Sequence, residues 1–306
     1  MQHEVMRHKI LFVFLDGVGL GAAEECNPLY TSRPAFLTEL VGSDFIGGTR
    51  CCREDLIFAP LDACLGVEGL PQSATGQTAL FTGINAARAQ GCHLPAFPNP
   101  RLREIIVREA VLKKVTAQGL RATFANAYTP GYFEMVQQGK RMHSVTTLSV
   151  FAAGVPFRMM EDLVGGEAVY WDVTREHFPP GGHPGIQVVT PELAGTHLAT
   201  IASGHELTVY ECFLPDLIGH KRDYDQAAVC VAMLDRFLRS VARNKNDDVT
   251  LLVCSDHGNM EDLSVGVHTR NAVPLLVYGP AASFFFVTSG IVEVAPAVLT
   301  SLRHGR

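Results

Sequence analysis

Asp16, Asp216 and Asp256 each close a short apolar run: ILFVFL, LTVYECFLP and VTLLVCS respectively. Three histidines accompany them. His220 stands four residues after Asp216, so a helical turn sets both on one face. His257 adjoins Asp256, and His268 follows a short polar loop. Crowded like charges repel, and a cation relieves that repulsion. Three carboxylates with three imidazoles make a mixed oxygen and nitrogen set, suited to Zn2+, Mn2+ or Fe2+ rather than Ca2+. Six such groups exceed one tetrahedral site, so the set implies two divalent metal ions. On a continuing strand Asp256 and His257 would point to opposite faces. Gly258 marks where the strand can stop, after which both can face one rim. The other nine of the twelve histidines are read as ordinary core or surface residues.

Between the first two carboxylates lies GLPQSATGQTALFTG (69–83), a loop punctuated by Pro and Gly that leads into TALFTGINAAR. That segment can start a helix near Thr78. A hydroxyl at a helix N-terminus sits in positive potential beside free backbone N–H groups. Next to a divalent cation it can ionise and attack phosphorus. Thr75 and Thr78 both fit that position, and both also fit a plain N-cap.

The elements that must position these groups alternate between two patterns. The continuous apolar runs 10–15, 207–214, 249–254 and 273–278 read as buried parallel strands, with 121–127 (RATFANA) a fifth. Helical periods run over 225–244, 191–202 and 292–302. Such alternation predicts an α/β protein: a doubly wound, mainly parallel sheet with helices on both faces. In such sheets the carboxyl ends of the strands share one edge, where ligands bind. Residues 1–130 and 190–306 form the expected core. The Gly- and Pro-rich stretch 131–189, with PPGGHPG and the only Trp, reads as a small inserted cap.

Composition narrows the function. With 47% hydrophobic and 18% charged residues the chain reads as globular, and 306 residues can bury a large core. A net charge of −6 gives no broad basic surface, so neither nucleic acid nor an anionic membrane is an expected partner. The polar N-terminus and the lack of a long apolar run predict a soluble, cytoplasmic protein. The eight cysteines form no CxxC pair and read as free thiols.

Asp16 in LFVFLDGVG, the GLPQSATGQTALFTG loop, DLIGH (216–220), SDHGN (255–259) and His268 resemble the alkaline phosphatase superfamily. Order and spacing are most similar to its branch containing cofactor-independent phosphoglycerate mutase and phosphopentomutase. The resemblance spans residues from about 10 to 280 and omits the middle. It implies that Asp216, His220 and His268 hold one metal ion, and that Asp16, Asp256 and His257 hold the other, with a nucleophile hydroxyl. Aligning the loop places that nucleophile, also a metal ligand, at Thr78, with Gln77 contacting phosphate. The loop after Thr78 lacks the mutase's Ser-Glu-Val-Gly-His wording, and the middle is shorter than that enzyme's second domain. Arg270 is a further candidate substrate contact.

Three carboxylates against two divalent ions leave about one positive charge, which attracts phosphate. The expected function is two-metal phosphoryl transfer through phospho-Thr78, hydrolysing a small phosphate ester with Zn or Mn. The alternative is a phosphomutase acting on a sugar phosphate or phosphoglycerate. A non-catalytic metal-binding protein is the third reading. Gly17-Val-Gly-Leu-Gly-Ala22 satisfies a dinucleotide-binding pattern, but prolines 28 and 34 fall where its helix should run. No G-x-S-x-G elbow supports a serine hydrolase.

Overall fold

The computed structural model describes residues 8–179 and 182–304. His3 and part of the PPGGHPG run lie outside the described residues. Seven strands form one sheet: β1 (Lys9–Leu15), β2 (Cys51–Arg53), β3 (Leu56–Leu61), β4 (Ala122–Phe124), β5 (Leu207–Cys212), β6 (Val249–Cys254) and β7 (Val273–Tyr278). Their order is β2-β3-β7-β6-β1-β5-β4. The β6-β1-β5-β4 block is parallel, whereas β7 is antiparallel to β6 and to β3, and β2 to β3.

The apolar runs form strands because both of their faces are covered. Ile10, Phe12 and Phe14 belong to one core, shared with helices Ser73–Thr82, Pro100–Glu109, Val145–Ala153 and Val294–Arg303. Leu11, Val13 and Leu15 belong to the other, shared with Pro191–Ser203 and Tyr224–Asn244. Within 131–189, Val145 and Val150 join the first core. Met160, Leu163, Ala168 and Tyr170 instead gather with Ala127 in a small separate cluster. Among the described residues, no helix is long and apolar enough to cross a membrane.

Two sequence expectations change. The run 273–278 is a strand but not a parallel one. No crossover helix separates it from β6, and the chain folds back through an antiparallel bridge between Gly258 and Thr269. Parallel neighbours need such a crossover. The helix expected to start near Thr78 starts at Ser73, with Gln72 extended as its N-cap and Gly83 closing it at φ 76°. Residues 74–82 are all buried, so no polar face marks a period, and Ser, Thr and Gly read locally as loop.

Candidate metal centre and nucleophile

Strand ends deliver the candidate ligands to one rim. Asp16 follows β1, and Asp256 and His257 lie just past β6. After β5, the helix Leu214–Lys221 carries Asp216 and His220 one turn apart. His268 precedes β7. Because β7 is antiparallel, its beginning lies at the edge where β1, β5 and β6 end; a parallel strand would have put His268 at the opposite edge.

The six groups fall into two sets of three. Within each set, one ligand atom per residue lies within 4.8 Å of the others: Asp216, His220 and His268 in one, Asp16, Asp256 and His257 in the other. Nε2 of His220 and Nε2 of His268 are 3.2 Å apart, at 3.4 and 3.5 Å from the Asp216 carboxylate. Nε2 of His257 is 3.3 Å from Asp16 and 3.5 Å from Asp256. The His257 and His268 rings stack with centroids 3.7 Å apart, which brings the two sets side by side.

The donor chemistry fits divalent cations. Each imidazole turns Nδ1 to a backbone carbonyl: Pro71 for His268, Gly266 for His220 and Gly258 for His257. A carbonyl only accepts, so Nδ1 carries the proton and Nε2 presents its lone pair to the site. Oδ1 of Asp16 and both oxygens of Asp256 are buried without a hydrogen-bond partner. Burial, then the neighbouring carboxylates Asp256 and Asp216, hold Asp16 well above the usual carboxylate range. Burial, then Asp216, pushes Asp256 up to about 8. Burial, then His268, pulls His257 well below the usual imidazole range. Bare lone pairs and orphaned carboxylate oxygens packed together need positive charge, and no Lys or Arg among the described residues pairs with any of the six.

Ser73 faces this cluster. As the first residue of its helix, it holds Oγ 3.0 Å from Nε2 of His257. With Nε2 unprotonated, the serine donates. Gln77, one turn on, reaches Asp16 Oδ2 with Nε2 at 3.3 Å. Ser73, Gln77, Asp16 and Asp216 share a cavity of about 400 Å³. Gly76 permits this approach: a Cβ there would lie 2.8 Å from the Asp256 carbonyl oxygen.

Thr78 and Arg270 stand apart from this cavity. Thr78 is fully buried in the helix interior, and its Oγ1 donates back to the Ala74 carbonyl at 2.6 Å. The helix begins five residues before it, so the N-terminal position expected for Thr78 belongs to Ser73. Arg270 is exposed, and its Nη1 donates to the Gly69 carbonyl. Thr75 is buried and holds Oγ1 at the Gln72 carbonyl.

Sequence reasoning passed over three other residues. Ser73 has a signal, since Ser73-Ala-Thr-Gly76-Gln77 repeats the serine and glycine of Ser-Glu-Val-Gly-His at the same spacing. Asn259 donates from Nδ2 to Asp216 Oδ1 at 2.7 Å and so orients a candidate ligand. Glu261, 1% exposed, accepts from the Gly19 and Asn259 amides, Asn271 Nδ2 and Thr269 Oγ1. It thereby ties together the loops after β1 and β6 and the approach to β7. Nothing in the local sequence marks Asn259 or Glu261.

Comparison with known proteins agrees with this architecture. Residues 8–304 match the family described as Metalloenzyme superfamily. Over 125 residues the chain is 28% identical to a 2,3-bisphosphoglycerate-independent phosphoglycerate mutase of Mycoplasmoides gallisepticum, covering 37% of this chain and 25% of that protein. The chain therefore spans about a quarter of the length of the curated relatives it matches. Leishmania mexicana phosphoglycerate mutase superposes with a TM-score of 0.59 at 10% identity, over 100% of this chain and 97% of that one. Alkaline phosphatase from the Antarctic bacterium TAB5 gives 0.51 at 14% identity, over 97% and 98%. At those identities the structural likeness establishes the fold. The family match extends across nearly the whole chain and both candidate metal sets, and the protein belongs to the Metalloenzyme superfamily, with an alkaline phosphatase-like fold.

Proposed function

We propose that the chain is a two-metal phosphoryl-transfer enzyme that hydrolyses a small phosphate ester, with Ser73 rather than Thr78 as its nucleophile. The observation that carries this reading is the 3.0 Å separation of Ser73 Oγ from His257 Nε2, at a helix N-terminus that opens on a cavity. Asp216, His220 and His268 would hold one ion, and Asp16, Asp256 and His257 the other, as Zn or Mn. Bound there, the ions supply charge that favours the serine alkoxide and offsets the phosphoryl oxygens.

The chain's own groups do the rest. Ser73 gives up its proton to solvent and its Oγ bonds to phosphorus, while the bond from phosphorus to the ester oxygen breaks. The alcohol leaves with a proton from solvent. Water then attacks phospho-Ser73, releasing phosphate and restoring the hydroxyl. Gln77, beside Asp16, is placed to donate to a phosphoryl oxygen. Metal-independent pull comes from the free amides of the helix N-terminus.

A phosphomutase is the second reading, favoured by the curated relatives, which bear that name. It would pass the phosphoryl group to a substrate hydroxyl instead of water. Phosphoglycerate brings a carboxylate as well as a phosphate, and Arg141 is the one Lys or Arg lining the cavity among the described residues. That lone cation is why hydrolysis of a less anionic ester is preferred.

The test is to load the protein with Zn2+ or Mn2+, incubate it with an aryl phosphate and quench in acid. Peptide mapping is expected to find the phosphoryl group on Ser73, with free phosphate accumulating. A label on Thr78 overturns the nucleophile, and isomerised product without free phosphate establishes the mutase.

A further inference from the structure

The cavity beside Ser73 is larger than a phosphoryl group requires, at about 400 Å³, and several aromatic rings line it. Trp171 and Phe213 stack with centroids 4.2 Å apart and planes 8° from parallel. Tyr128 and Tyr132 meet edge to face at 5.0 Å. Flat aromatic walls favour a flat apolar guest.

One carboxylate interrupts these walls. Glu211 lines the cavity, yet is only 7% exposed. Its Oε2 accepts from Thr146 Oγ1 at 2.7 Å, and its Oε1 has no partner among the described residues. Asn126 clamps the backbone of Glu211 from both sides, donating to its carbonyl at 2.7 Å and accepting from its amide at 2.9 Å. The carboxylate is therefore held in place, with one oxygen left open on a pocket. A fixed carboxylate oxygen that opens on a pocket can accept a hydrogen bond from a ligand donor.

We propose that this cavity binds the alcohol half of the phosphate ester, that this alcohol carries a planar ring, and that Glu211 accepts a hydrogen bond from an amino or hydroxyl group on that ring. The inference rests on the phosphoryl-transfer reading, because Ser73 at the cavity floor fixes where the phosphorus sits. It also gives Glu211 a second effect: its carboxylate disfavours an acid such as phosphoglycerate.

Trp171 is the only tryptophan of the chain, so its emission reports on the pocket without background. Metal-loaded protein is titrated with benzylphosphonate, its amino- and hydroxy-substituted forms, and methylphosphonate. The ring-bearing probes are expected to change the emission saturably, the substituted forms binding more tightly, and methylphosphonate to leave it unchanged. Turnover is then compared for benzyl and ethyl phosphate, whose alcohols are similar leaving groups. An advantage of about 10-fold or more in kcat/KM for the benzyl ester, carried by KM, is the expected result. Glu211→Gln is expected to cancel the advantage of the substituted probes.

Equal kcat/KM for the two esters, or no emission change with any ring, overturns the proposal. So does no gain from any ring substituent in the wild-type chain, a comparison that does not depend on the variant folding. If no ester phosphorylates Ser73 but the ring probes still shift Trp171, the phosphoryl-transfer reading fails while the ring pocket stands.

Discussion

Ser73 Oγ and His257 Nε2 lie 3.0 Å apart although 184 residues separate them in the chain. Two short-range facts create that contact. Helix Ser73–Thr82 begins at the serine, and Gly76 lets its first turn press against Asp256. The Nδ1 of His257 faces the Gly258 carbonyl, so Nε2 is the ring nitrogen that accepts the serine hydrogen bond. The serine thus meets a member of one candidate metal set at the one end of its helix where backbone amides are free.

Ser73→Ala should abolish the phospho-enzyme and lower kcat/KM on the order of 10³-fold or more. Thr78→Val should leave kcat/KM close to wild type. It removes a hydroxyl whose single bond is to the Ala74 carbonyl, at a stability cost of about 1 kcal/mol. Steady-state kinetics and denaturant melts of both variants check this. A Thr78→Val enzyme as inactive as Ser73→Ala would sink the Ser73 assignment.

The contrast between Ser73 and Thr78 also marks how far the sequence reaches. The strands are legible because a parallel strand covered on both faces is a continuous apolar run. The three Asp residues and His257 stand out because each sits at or just past the end of such a run, and strand ends share an edge; His220 stands out by its helical spacing from Asp216. The Ser73–Thr82 helix is not, because burial on all sides erases the periodicity that betrays a helix. The direction of β7 is not written in its side chains, and Pro60 disguises β3. Asn259, Glu261 and Glu211 are ordinary polar residues in sequence; only the fold that surrounds them gives them partners.

Metal should stabilise the fold. Asp16 and Asp256 are buried with orphaned oxygens, so an ion bound there adds favourable free energy that the unfolded chain cannot recover. At 100-fold excess over Kd the gain is about 2.7 kcal/mol per site. Thermal melts should rise with Zn2+ or Mn2+ and fall with chelator. Asp256→Asn, after dialysis, should hold one ion fewer than wild type by elemental analysis. Equal metal content in the two proteins would remove Asp256 from the ligand set.

Asn259→Ala should weaken metal at the Asp216, His220 and His268 set by about 10- to 100-fold, the usual effect of losing a group that orients a ligand. Chelator competition measures it. If Asn259 only braces the loop, the melting temperature of the metal-free variant will drop while its metal affinity matches wild type.

Glu211 should impose a pH dependence of its own. Burial pushes its carboxyl from 4.5 up to about 7, against a smaller opposing pull from the Thr146 hydroxyl. The unfolded chain ionises near the lower value and the fold near the higher one. Below both, neither state is charged and Glu211 carries no penalty. Between them unfolding releases a proton, so stability falls as pH rises, and it levels off above the folded value. At 1.36 kcal/mol per unit the whole loss is about 3 kcal/mol, as an order of magnitude. Glu211→Gln keeps the shape and the Thr146 contact but cannot ionise. In chelator, its unfolding free energy relative to wild type should climb across roughly pH 4 to 7 and then stay flat. A difference that does not change with pH would mean that Glu211 ionises over the same pH range in the folded and unfolded chain, and so is not held in a dry pocket.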